Sequence, residues 1–64
     1  MTDVKRLKAA LAELERERSL RQRVYPVWVR EGRLAEKQAR ERIALLEYVI
    51  EFVREQLKAL DGSE

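Results

Sequence analysis

The sequence predicts an all-α fold: an antiparallel two-helix hairpin, its first helix kinked at Pro26, that dimerises into a four-helix bundle. Three observations carry this expectation. Apolar residues from Ala39 to Leu60 recur at alternating spacings of four and three without a break. The composition leans to Ala, Leu, Glu, Lys, Arg and Gln, which are strong helix formers, and only two glycines and one proline are present to make turns. The chain has 64 residues and contains neither cysteine nor histidine. A domain this short buries only about 60% of its unfolded surface. Without disulfides or the common zinc ligands, self-association is the reinforcement left to it.

The first helix is predicted over residues 3–30. Thr2 or Asp3 serves as N-cap, accepting hydrogen bonds from the unpaired amides of the first turn. Val4, Leu7, Leu11 and Leu14 set a seam whose continuation falls on Arg18, Arg21, Tyr25 and Trp28. Two arginines therefore stand where a core would take leucine. Pro26 lacks an N–H and clashes with the carbonyl of Gln22, so the helix either bends there or stops near Val24. Tyr25 and Trp28 keep the upstream phase, which favours a bent continuation. Gly32 suits the left-handed position just past a helix end, and residues 31–34 form the corner.

The second helix is predicted over residues 35–60, with 61–64 a frayed tail. Ala35 is its cap, Gln38 completes a weak capping box, and Leu34 staples onto Ala39. Its seam runs through Ala39, Ile43, Leu46, Ile50, Val53, Leu57 and Leu60, and Leu45, Val49 and Phe52 form a second strip beside it. That arc is wider than one neighbouring helix covers. The strip, together with Ile43, Leu46, Ile50 and Val53, is the predicted dimer interface. So short a connection places the helices antiparallel, and facing residue numbers sum to roughly 64. Leu14 then lies near Ile50, Leu7 near Leu57, and Arg18 and Arg21 near Leu46, Ile43 and Glu47.

Charge is uneven along the chain. Residues 16–42 hold nine bases against four acids, a net of +5, whereas residues 43–64 hold two bases against five acids, a net of −3. Residues 1–15 balance at three of each. No apolar run approaches the roughly 18 residues of a membrane span. The start MTDVKRLK lacks the apolar core of a secretory signal, which points to the cytoplasm.

The stretch RVYPVWVREGR, residues 23–33, concentrates the unusual residue types: the only proline, the only tryptophan, a tyrosine and a glycine, with arginine at both ends. One reading makes Tyr25 and Trp28 a platform ringed by Arg21, Arg23, Arg30 and Arg33, on which a partner's side chains stack. The other makes both rings apolar pegs that close the end of the hairpin. Arg18 and Arg21 divide in the same way, between awaiting an acidic partner and running their stems past the seam to water or to Glu47. The basic run also suggests phosphate contacts through Arg16, Arg18, Arg23, Lys37 and Arg40. Glutamates interrupt it, however, and two helices with one corner match no nucleic-acid-binding fold.

Catalysis has no constellation to support it. Without His or Cys, no nucleophile stands beside a general base. Glu47 and Glu51, one turn apart, lack the further ligands of a carboxylate metal site. Neither a cofactor nor a metal is expected.

The residues Arg23, Val24, Tyr25, Pro26, Trp28, Val29, Gly32, Arg33, Leu34, Ala39 and Ile43 to Ile50 resemble a group of short bacteriophage and prophage proteins. These carry an arginine-rich helix, an R-V-Y-P-x-W-V…G-R corner and an Ala-rich second helix. The match covers about half of the chain and is most specific at the corner. Ala35 departs from the pattern, where Thr or Ser would cap the helix. Members of that group are largely of unknown function, so the resemblance implies a phage origin and an accessory role; by analogy, small phage accessory proteins commonly act by binding and blocking a host protein. The expected function is accordingly non-enzymatic. A homodimeric hairpin binds an acidic protein surface through Arg21, Arg23, Tyr25, Trp28, Arg30 and Arg33, with a nucleic-acid-associated role or a purely structural role as alternatives.

Overall fold

A computed structural model describes residues 3–61. Two helices, α1 (Asp3–Arg30) and α2 (Glu36–Asp61), account for all but the short connection between them. The helices pack against each other and run antiparallel: Arg21 reaches Arg42, while Glu15, nearer the start of α1, reaches Arg54, further along α2. The expected cap at Thr2 and the last three residues of the expected tail lie outside the described residues. Asp61, assigned to that tail, belongs to α2.

Pro26 does not end α1, which continues through it to Arg30. The helix ends where Gly32 adopts φ +75°. The amide of Arg33 donates to the carbonyl of Trp28 (2.8 Å) and that of Gly32 to Val29 (3.1 Å). This pair of backward bonds is the Schellman arrangement, which satisfies carbonyls that the helix end leaves without partners. A Cβ on Gly32 would meet nothing within 4 Å, so backbone conformation, not space, calls for glycine there.

Residue 35 is the cap of α2 rather than its first helical residue. The carbonyl of Ala35 accepts from the amide of Ala39 (2.9 Å), and Gln38 Oε1 accepts from the amide of Ala35 (3.4 Å). The side-chain half of the capping box is present, but alanine has no oxygen to return the bond.

Among the described residues six apolar ones are buried: Tyr25, Leu34, Ala39, Leu46, Ile50 and Val53. Tyr25, Leu34 and Ala39 cluster at the corner, with Val24, Trp28, Val29 and Ile43 packed around them. Ile50, 1% exposed, is the most enclosed residue of the seam. Principal extents of 48 × 18 × 12 Å describe a slab one helix thick, given a helix diameter of about 10–12 Å. Such a layer has two broad faces and encloses little between them.

Candidate interaction surfaces

Helix geometry and two observed contacts distinguish the two faces of this slab. Successive residues turn by about 100°, so residues one position after the seam lie on one flank of a helix and residues one position before it on the other. Glu15 and Arg54 each follow a seam residue, and they bond to each other at 2.6 Å. Pro26 and Arg40 also follow seam residues, and they line one shared groove. The positions after the seam therefore share a face of the hairpin. By the same geometry Leu20, Val24 and Val27 of α1 share the opposite face with Leu45, Val49 and Phe52 of α2.

The first face is polar along most of its length. Arg54 bridges Glu15 on α1 and Glu51 on its own helix (3.2 Å), and these two carboxylates, Glu15 foremost, hold its guanidinium pKa above the ordinary value. Because arginine is charged at any working pH, the contribution here is geometric: the bridge ties the two helices together. Towards the corner the same face opens into a groove of ≈ 430 Å³, floored by Tyr25, Pro26, Val29, Ala39 and Ile43. Arg30 and Arg40 border it, and Arg40 is also paired with Glu36 at 3.5 Å.

The second face is apolar. Leu45 is 66% exposed and Phe52 55%, and Tyr48, on the outer side of the same strip, is 72% exposed. Val49, Leu20 and Val27 are also exposed. A depression of ≈ 460 Å³ between Arg6, Leu7, Ala10 and Leu60 extends this face toward the open end. The α1 members were not among the predicted interface residues. Their spacing of four and three, from Leu20 to Val24 to Val27, was the available signal, but only the antiparallel pairing shows that they share a face with the α2 strip.

Burial corrects part of the predicted interface. Leu46, Ile50 and Val53 are buried within a single chain and Ile43 is half-buried, because the seam of α2 turns toward α1. They are not open to a second copy. Leu45, Val49 and Phe52 are.

At the corner the aromatic residues take a packing role. Tyr25 is 6% exposed, and its ring lies 5.7 Å from that of Trp28 at an interplanar angle of 35°. Trp28 is half-buried and carries the guanidinium of Arg33 above its ring, 5.5 Å from the centroid. Tyr25 thus offers no open ring for a partner to stack on, and Trp28 is already covered on one side. Arg21 is half-buried, its Nε donating to Glu17 (2.9 Å) and its Nη1 to the carbonyl of Arg42 (3.2 Å). The partner anticipated from sequence, Glu47, is not the one it takes. Arg21 spans the seam and does not project from the tip.

The exposed cations are arranged differently from the predicted ring. Arg16, Arg23 and Arg30 are all exposed and stand seven residues apart. That spacing lines them up along the outer side of α1, with successive Cα atoms about 10 Å apart. Arg33 sits beyond them at the tip, paired with Glu31 (3.2 Å). The heptad spacing of these arginines is legible in the sequence, though the periodicity of apolar residues draws attention first.

Among the described residues no helix is long and apolar enough to cross a membrane. Among the described residues no group of three or more Asp or Glu side chains comes together where a metal ion could be held. Comparison with protein-family models finds no match. Comparisons with curated proteins and with solved structures likewise find no similar protein.

Proposed function

We propose that this chain is a non-catalytic binding protein of the cytoplasm. It is a helical hairpin that pairs with a second copy to form a four-helix bundle and holds an acidic surface of another protein with Arg23, Arg30 and Arg33. The single observation that carries the reading is the exposure of Leu45, Tyr48 and Phe52 along one flank of a slab only one helix thick. Exposed apolar strips of this kind mark interaction surfaces. The accessory role implied by the resemblance to small phage proteins fits such a binder, and a bend of α1 at Pro26 would help fit the corner to its partner.

Sedimentation equilibrium of the wild type and of Leu45→Glu/Phe52→Glu tests the pairing. A dimer in the wild type and a folded monomer in the variant are expected, whereas a wild type that remains monomeric at millimolar concentration overturns it. Affinity capture with wild type and Arg23→Ala/Arg30→Ala tests the cationic site. A variant that retains every partner removes the arginines from the site.

The row Arg16, Arg23 and Arg30 supports a second reading, phosphate binding along a nucleic acid. Electrophoretic mobility with duplex and single-stranded DNA at two salt concentrations decides it. No shift at low salt eliminates that reading.

A further inference from the structure

The apolar face and the distribution of charge together define how a second copy docks. We infer that the two hairpins pair with their tips pointing in opposite directions, so that the dimer is a rod carrying one cationic tip at each end. This rests on the self-association proposed above and adds an orientation and a valence to it.

Two symmetric ways exist to lay one such face on another. With tips together, α2 of one copy lies over α1 of the other at the same level. The Glu15–Arg54 bridge shows which residues are level: Val49 and Phe52 stand beside the stretch of α1 that holds Glu13 and Glu17. In that orientation the most apolar part of α2 meets charged side chains, whose desolvation is costly. With tips opposed, α2 lies over α2 and α1 over α1 about an axis near Val49, so the charged stretch of α1 faces its own copy rather than the apolar strip. Leu45 of one copy then falls against Phe52 of the other, and the apolar strip covers itself.

Electrostatics favours the same choice. The tip half, residues 16–42, carries a net charge of +5, and residues 43–61, which run away from the tip, carry −2. Tips together would place like charge on like charge at both ends; tips opposed places each basic half over an acidic one.

The available area suits a second copy. With aromatic side chains at roughly 150–250 Å² each and the aliphatic ones somewhat smaller, the exposed strip amounts to about 500 Å² per chain. A symmetric pair then buries about 1,000 Å², near the lower bound of specific interfaces. A second copy also supplies the layer that a two-helix slab of this length lacks.

Because the chain has no cysteine, a single introduced one takes a spin label at one site. Ala35→Cys places it at the exposed start of α2 without changing charge. At a rise of 1.5 Å per residue, labels about 14 residues from an axis near Val49 are separated by about 40 Å when tips are opposed and by about 20 Å or less when tips are together. Pulsed dipolar spectroscopy measures the distance on a sample shown by circular dichroism to be helical and by sedimentation to be dimeric. A distance near 40 Å supports the opposed arrangement. A short distance overturns the orientation and leaves the shared face standing, whereas a sample that never dimerises overturns both.

Discussion

Arg33 is joined to Trp28 twice: its amide donates to the Trp28 carbonyl at 2.8 Å, and its guanidinium lies 5.5 Å from the centre of the indole ring. The backbone bond closes the end of α1, and the side chain covers the ring that the end would otherwise leave open. A hydrophobic contact between these same two positions commonly accompanies a Schellman end; here a cation over an aromatic face takes that place. Arg33, one of the arginines expected from the sequence to bind a partner, is thus also a structural residue.

Arg33→Ala should therefore lower stability by about 0.5–1 kcal/mol, the usual worth of a solvent-exposed cation over an aromatic ring. It should also shift the tryptophan emission to longer wavelength as water reaches the indole. Arg33→Lys should keep part of the effect. If neither variant alters the emission, the contact is absent in solution.

Gly32→Ala tests the backbone alone. With φ at +75° and no atom near the added methyl, the loss should be about 1 kcal/mol from conformational strain. Gly32→Asn, better tolerated in left-handed geometry, should recover part of it. A chemical-denaturation series reads both. Equal stability in all three proteins would mean that the helix end relaxes to another conformation.

Ala35 occupies the cap of α2 and donates its amide to Gln38 Oε1, yet its side chain has no oxygen to accept a bond in return. Ala35→Ser or Ala35→Asp should stabilise the hairpin by roughly 0.5–2 kcal/mol, completing the box and, for Asp, adding a charge favoured at a helix N-terminus. The gain should appear as a higher melting temperature. If Ala35→Ser melts no higher than the wild type, Ala35 is not the capping position.

Ile50 and Phe52 stand two positions apart on α2 and should respond differently. Ile50 is 1% exposed within one chain, so Ile50→Ala should cost about 2–4 kcal/mol at any protein concentration. Phe52 is 55% exposed, so in the proposed dimer its contribution would come through the second copy. Phe52→Ala should therefore remove the rise of melting temperature with protein concentration that an associating protein shows. A concentration-independent melt in the wild type would contradict this.

Much of this architecture is legible in the sequence, because the features that specify it are local. The unbroken spacing from Ala39 to Leu60 defines α2 and the side it buries, and Gly32 marks the end of α1. Pro26 was harder to read. Its local preference is to interrupt a helix, but Tyr25 and Trp28 on either side keep the seam phase and pack against Leu34 and Ala39, and this tertiary contact carries the helix onward. The candidate interaction surface was only half visible. The α2 strip stands out, whereas Leu20, Val24 and Val27 form a short strip preceded by Glu13 and Glu17. Their meaning depends on which flank of α1 adjoins which flank of α2, a relation that no single helix contains.

Arg21 was legible as an anomaly, a cation on an apolar seam, but its partner was not. Its Nη1 donates to the backbone carbonyl of Arg42, 21 residues away, and such an acceptor leaves no signature in residue type. The bond joins the two helices at a defined level, and the stem of the side chain covers the seam beneath it. These two contributions are separable. Arg21→Met keeps most of the apolar stem and removes the donor, so it should change stability by less than about 1 kcal/mol, because a half-buried cation recovers little beyond its desolvation. Arg21→Ala removes the stem as well and should cost about 1–2 kcal/mol. Amide exchange near Arg42 should accelerate in both, since the interhelix bond that steadies that turn is gone. If Arg21→Met proves as costly as Arg21→Ala, the hydrogen bond rather than the covered seam holds this part of the hairpin together.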